Sequence, residues 1–181
     1  EAMLNFLACL GWNDGTEDEI YSKEDLIERF DVSRIQHAGA RFDEQKLLWL
    51  NGQWIRRLFN EDAKALYART ADFWPESAKN ASDELKFRVF SIIYDRLKTL
   101  ADLRTMTDYF FVSPTVDMDM ITNNKALKKL SEHEIVALLR QSIEKLREVT
   151  EWTPENLQNA LNELLAERAQ KPATLFGLIR L

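Results

Sequence analysis

The residues that could make or break bonds are few in this chain, and their spacing does not suit catalysis. Its two histidines, His37 and His133, stand in different predicted elements. They lack a cysteine partner and the i, i+4 spacing that puts two ligands on one helical face, so no metal site is expected. Cys9 is the one cysteine; it sits in an apolar run and reads as a small core residue, with no internal disulfide to close. Asp117 and Asp119 alternate with Val116, Met118 and Met120, a spacing that paired carboxylates could share. An exposed face of a short extended segment over Val116–Ile121 accounts for them as well. No nucleophile stands beside a base and no glycine-rich loop could cradle phosphates, so no catalytic residue is expected.

Arg96 is different. A helix is predicted from about Ser82 to Leu103, with Leu85, Val89, Ile92, Leu100 and Leu103 along one stripe. At 100° per residue, Arg96 lies about 20° from Leu85, inside that stripe. A charge there must be paired or point into a groove, because an isolated buried charge is very costly. Periodicity leaves both open: a salt bridge to another helix, or a cation offered to a ligand.

The elements that must position it are helical. Five glycines, four prolines and long Leu/Ala/Glu/Lys/Arg runs favour helices over a sandwich or barrel. An apolar first helix should end near Gly11, before the turn signal Asn13-Asp14-Gly15. Ser22-x-x-Asp25 and Ser131-x-x-Glu134 are capping boxes opening two further helices, and Thr153-Pro154-Glu155 opens another. A helix is expected from about Asp43, broken or kinked at Asn51-Gly52, with Asn60 capping the next, which Pro75 stops. The fold class is mainly α, with internal boundaries near Asn60 and within Ser113–Asn124.

A chain of 181 residues can build one substantial domain or two small packed ones. Hydrophobic residues at 45% and charged residues at 30% describe an ordinary globular protein, and no apolar run approaches the roughly 20 residues of a membrane helix. A reducing cytosol fits the cysteine usage. The net charge of −6 argues against nucleic-acid binding by bulk electrostatics, yet leaves room for a local basic strip. Lys86–Arg104 supplies one, with five bases against the two acids Asp95 and Asp102.

Phe30–Arg56, FDVSRIQHAGARFDEQKLLWLNGQWIR, closely resembles the segment that follows the catalytic domain of bacterial glutamyl-tRNA synthetases. Met3–Trp12, MLNFLACLGW, is similar to that family's LLNYLALLGW helix, and Arg96–Leu103, RLKTLADL, resembles its R-x-x-T-L-x-E-L stretch with Asp102 in place of glutamate. The two ATP-handling signatures of such enzymes are not matched. His37-Ala38-Gly39-Ala40 shares only an H-x-G skeleton with one, and Lys129-Leu130-Ser131 is followed by Glu132 where the other has lysine.

The resemblance implies a tRNA-reading portion whose catalytic half lies upstream of Glu1. Residues 1–60 would be a connecting region contacting the tRNA body, 61–116 a first anticodon-binding helical subdomain, and 117–181 a second, truncated at its C-terminus, the two together forming a helical bundle or cage. The parent would ligate glutamate to tRNA(Glu) with ATP and Mg, as a cytoplasmic monomer; this chain would hold no cofactor and catalyse nothing. Arg96, with Thr99 beside it, would read the last anticodon base. Arg180, in a terminal segment similar to a family helix, would contact earlier anticodon bases. Arg34 and Arg56, like Arg41 and Arg57, would face phosphates or simply solvent. Trp49 and Trp54 invite base stacking, but the family block makes both buried core. The competing reading is a non-catalytic, all-helical protein-interaction module docking through an aromatic patch.

Overall fold

The computed structural model describes residues 1–180 except 37, 38, 40, 114, 116 and 117, together with the backbone but not the side chains of Met118 and Thr122. The chain divides into two compact units, Glu1–Pro114 and Thr115–Leu181. Among the described residues both are helical, with no strand. No described helix is long and apolar enough to cross a membrane.

The first unit is organised by a long helix. Helix α1 (Ala2–Cys9) packs beside α3 (Glu44–Ala68), helix α2 (Lys23–Arg29) packs against α1, and α4 (Asp83–Ile93) and the short α5 (Leu103–Met106) complete the unit. Asp43 accepts from Lys46 N at 3.1 Å and so caps α3. Phe6, Leu50 and Trp54 form one core, and Ile55, Leu66, Phe90, Ile93, Leu97 and Leu103 another.

Buried Asn5 joins three elements. Its Oδ1 accepts from Tyr21 N and Trp54 Nε1, both at 3.1 Å, while its Nδ2 donates to Glu19 O at 2.9 Å. A fully buried amide is tolerable only because its donors and acceptor are used this way.

The expected break at Asn51-Gly52 does not occur: α3 runs straight through it. The departure from helical geometry falls at Asp62 (φ −154, ψ 91), two residues beyond the expected Asn60 boundary. Asp62, not Asn60, caps the helical turns beyond it, accepting from Lys64 N at 3.1 Å and Ala65 N at 3.0 Å. Gly52 serves close approach instead, since a Cβ there would stand 3.1 Å from Leu97 O.

The single helix expected over Ser82–Leu103 is also corrected. α4 stops at Ile93; a 3-10 turn covers Tyr94–Arg96, Leu97 is extended, and another 3-10 turn covers Leu100–Asp102. The buried face of α4 is Val89, Phe90 and Ile93, whereas Leu85 and Ile92 are exposed. Residue counting followed an unbroken helix through Arg96, and the break rotates everything beyond Ile93 off that stripe.

The second unit has α6 (Met118–Thr122), α7 (Glu132–Glu148), α8 (Pro154–Glu167) and α9 (Pro172–Ile179). The expected extended segment at Val116–Ile121 is helical from Met118 onward, and Val116 and Asp117 lie outside the described residues. Leu127, Ile135, Leu138, Leu164, Leu175 and Leu178 are among the residues of its core. Both expected starts hold. Ser131 and Glu134 form a reciprocal capping box, and Thr153 Oγ1 accepts from Asn156 N at 3.2 Å ahead of Pro154.

Candidate nucleic-acid interface

Arg96 lines a recess of about 280 Å³. One wall comes from α3, with Gln45, Leu48, Trp49, Gly52 and Arg56; the other is Arg96, Leu97 and Lys98. Three cations and an indole line it, and no carboxylate does.

Local chemistry explains the shape. Leu97 is fully buried in the core and extended, so its neighbours Arg96 and Lys98 project the other way, into solvent. The backbone on either side is tied down. Arg56 Nη1 donates to Asp95 O and Asn51 Nδ2 to Lys98 O, each at 2.6 Å. The Asp102 carboxylate accepts from Lys98 N and Thr99 N at 2.9 Å and from Thr99 Oγ1 at 3.0 Å. Upstream, the Tyr94 ring stacks on Phe59 of α3, with centroids 3.6 Å apart. The segment's backbone is therefore held by the protein, while among the described residues the Arg96 guanidinium and the Lys98 ammonium make no hydrogen bond or ion pair. The internal salt bridge weighed for Arg96 is absent from the described residues.

Trp49 corrects an expectation. It is 42% exposed on the rim of the recess, while Trp54, five positions on, is 5% exposed in the core. Helix geometry separates them: five residues are 500°, or about 140° around the axis. The Gln53 amide, oriented with its oxygen toward the donors, accepts from Trp49 Nε1 and Arg56 Nη2 at 3.2 Å each. The indole is thereby fixed with ring area in solvent. Arg57, on another face, lies over the Trp54 ring at 5.0 Å and pairs with Glu61 at 2.9 Å.

Of the residues singled out in the sequence, the structure brings Arg56 and Arg96 together. Thr99 lies just past the recess, with its hydroxyl given to Asp102. Arg34 is elsewhere in the first unit, donating to the Asp14 carbonyl. Arg180 caps α9 in the second unit and is exposed. Sequence reasoning missed Lys98, Gln53 and the exposure of Trp49. A glycine inside a strongly helical run was the available signal, because it marks where another backbone comes close.

Other candidate chemistry finds structural employment. Ser131 of Lys129-Leu130-Ser131 gives Oγ and N to Glu134 at 2.7 Å each as the cap of α7. His37 and Asp117 lie outside the described residues. Among those described, no group of three or more His, Cys, Asp or Glu could hold a metal ion.

Residues 59–181 match the family model described as anticodon binding domain. The chain belongs to that family. Curated relatives of this anticodon-binding chain include the glutamate–tRNA ligases of Flavobacterium johnsoniae, 33% identical over 92% of this chain and 32% of that protein, and of Corynebacterium glutamicum, 33% identical over 100% and 36%. The ligase of Bacillus subtilis is 30% identical over 99% of this chain and 37% of its own length. The anticodon-binding chain thus spans about a third of the length of the curated relatives it matches. A crystal structure of a glutamate–tRNA ligase from Elizabethkingia meningosepticum shares the fold, with a TM-score of 0.66 over 97% of this chain and 33% of that one, at 24% identity.

Proposed function

We propose that this chain is the anticodon-recognition portion of a glutamyl-tRNA synthetase, a cytoplasmic monomer that ligates glutamate to tRNA(Glu), and that Arg96 reads the last anticodon base. The observation carrying this is the acid-free recess of Arg96, Lys98 and Trp49 on a chain of the anticodon binding domain family. A guanidinium presents donors only. Cytosine offers the O2 and N3 acceptors on its pairing edge, whereas guanine turns N1–H and N2–H₂ donors there. Glutamate anticodons end in C and glutamine anticodons in G, so one arginine favours the first and opposes the second.

Trp49 supplies an aromatic face for the unstacked base. Lys98 supplies a cation for the adjoining phosphate, and Arg56 braces the turn that carries Arg96. ATP and Mg, with the ligation chemistry, belong to the rest of the parent enzyme, upstream of Glu1. Outside the recess, the region up to about residue 60 contacts the tRNA body, and Arg180 serves the earlier anticodon bases.

Arg96→Gln tests the assignment. With helicity unchanged by circular dichroism, the affinity gap between glutamate and glutamine tRNA transcripts narrows by about 1–3 kcal/mol. An unchanged gap refutes the role of Arg96.

A further inference from the structure

The recess around Arg96 has a support that does not itself line it. Gln53 is half-buried on α3, four residues after Trp49 and three before Arg56, the two spacings that make helix side chains neighbours. Trp49 and Arg56 line the recess and Gln53 does not. An indole and a guanidinium present donors only, so the Gln53 amide turns its oxygen to them. That one oxygen accepts from Trp49 Nε1 and from Arg56 Nη2, at 3.2 Å each.

Arg56 carries the connection across to the other wall. Its Nη1 donates to Asp95 O at 2.6 Å, and Asp95 immediately precedes Arg96. The Trp49 ring, the Gln53 oxygen, the Arg56 guanidinium and the backbone before Arg96 therefore form one chain of hydrogen bonds. A rim indole without that tie would turn about its side-chain bonds. A recognition site works only when its groups are held within about 0.5 Å and 10–20° of their productive geometry. The amide also suits the place by being neutral. A carboxylate would accept the same two bonds while setting a negative charge beside cations left for a phosphate.

We propose that Gln53 is a positioning residue for anticodon reading: its shared oxygen holds the Trp49 ring and the turn bearing Arg96 in one fixed relation, so that a base stacked on the ring meets the Arg96 fork. This role rests on the reading of Arg96 as the reader of the last anticodon base, and it makes specificity depend on a side chain outside the recess.

The test titrates the 181-residue chain and its variants with glutamate and glutamine tRNA transcripts and reads the ratio of the two affinities. Partial unfolding lowers both affinities alike and leaves their ratio unchanged, so the ratio separates positioning from stability. Gln53→Leu, which removes the acceptor at similar size, narrows the ratio about three- to tenfold, with the salt dependence of binding unchanged. Trp49→Phe keeps a ring without its N–H and narrows the ratio in the same direction. The double variant goes no further than Gln53→Leu alone, because both substitutions break one connection. Gln53→Glu, still accepting from both donors, holds the ratio near its starting value while its charge weakens both affinities.

A ratio that survives Gln53→Leu overturns the proposal, and so do losses that multiply in the double variant. If Gln53→Leu does not fold, Trp49→Phe decides alone, and an unchanged ratio again overturns the proposal. Arg96→Gln in the same assay tells two failures apart. A ratio that collapses with Arg96→Gln but survives Gln53→Leu refutes the role of Gln53 alone. One indifferent to Arg96→Gln refutes the reading of Arg96, and the positioning role with it.

Discussion

The recess beside Arg96 and the loop around Asp14 both collect arginines, and they use them in opposite ways. At the loop, the Asp14 carboxylate accepts from Thr16 Oγ1 at 2.6 Å, Tyr21 OH at 2.9 Å, Thr16 N at 3.0 Å and Arg29 Nη1 at 3.1 Å, while Arg34 closes on the Asp14 carbonyl. These cations hold a turn together. At the recess, the protein spends backbone groups, Arg56 and Asn51 on fixing the chain, and two cations are left over. An inventory of basic residues would rank the two places alike. Asking what each donor already touches separates a structural cluster from a candidate binding surface.

The sharpest way to break the comparison uses the two tryptophans. Trp54 belongs to the loop side, since Asn5 ties its Nε1 to the backbone at Tyr21 and Glu19. Trp54→Ala removes a buried ring and is expected to cost about 3–5 kcal/mol in urea unfolding. Trp49→Ala should change stability by no more than about 0.5 kcal/mol while weakening tRNA binding by about 1–3 kcal/mol. Equal losses of stability would put both rings in the core and end the stacking role of Trp49.

A smaller effect separates the cations. Lys98→Ala should lower the slope of log affinity against log salt by about 1, because one phosphate contact is lost, whereas Arg34→Ala should leave the slope near its starting value. The reverse ranking would move the phosphate path to the Asp14 loop.

The mildest effect is one of pH. Hydrogen bonds from Thr16, then from Tyr21 and Arg29, hold the Asp14 carboxyl well below the usual carboxylate range. A depressed pKa in the folded state stabilises above the unfolded value of about 3.9 and loses that contribution as pH falls through the folded value. The thermal midpoint should therefore drop on acidification below that point, and less steeply in Asp14→Asn. Identical slopes would mean that the loop contributes nothing to acid stability.

Much of this was legible in the residues. The helix starts at Ser22, Ser131 and Thr153 come from side-chain oxygens placed to accept from backbone N–H groups a few residues on, a local rule that tertiary context did not override. Arg96 stood out for a charge in an apolar pattern, although the helix invoked for it ends at Ile93. The turn that replaces that helix depends on long-range partners: Arg56 on Asp95, Asn51 on Lys98, and Gly52 making room for Leu97. No window of sequence around Arg96 contains those residues. Trp49 was misjudged because the family block was read as packing core throughout, and only helix phase relative to Trp54 turns it outward.

The central claim is met most directly by titrating the chain with glutamate and glutamine tRNA transcripts at two salt concentrations. Affinity that falls steeply with salt and favours the glutamate transcript at both is the predicted result. Equal affinity for the two transcripts, unmoved by salt, would contradict it.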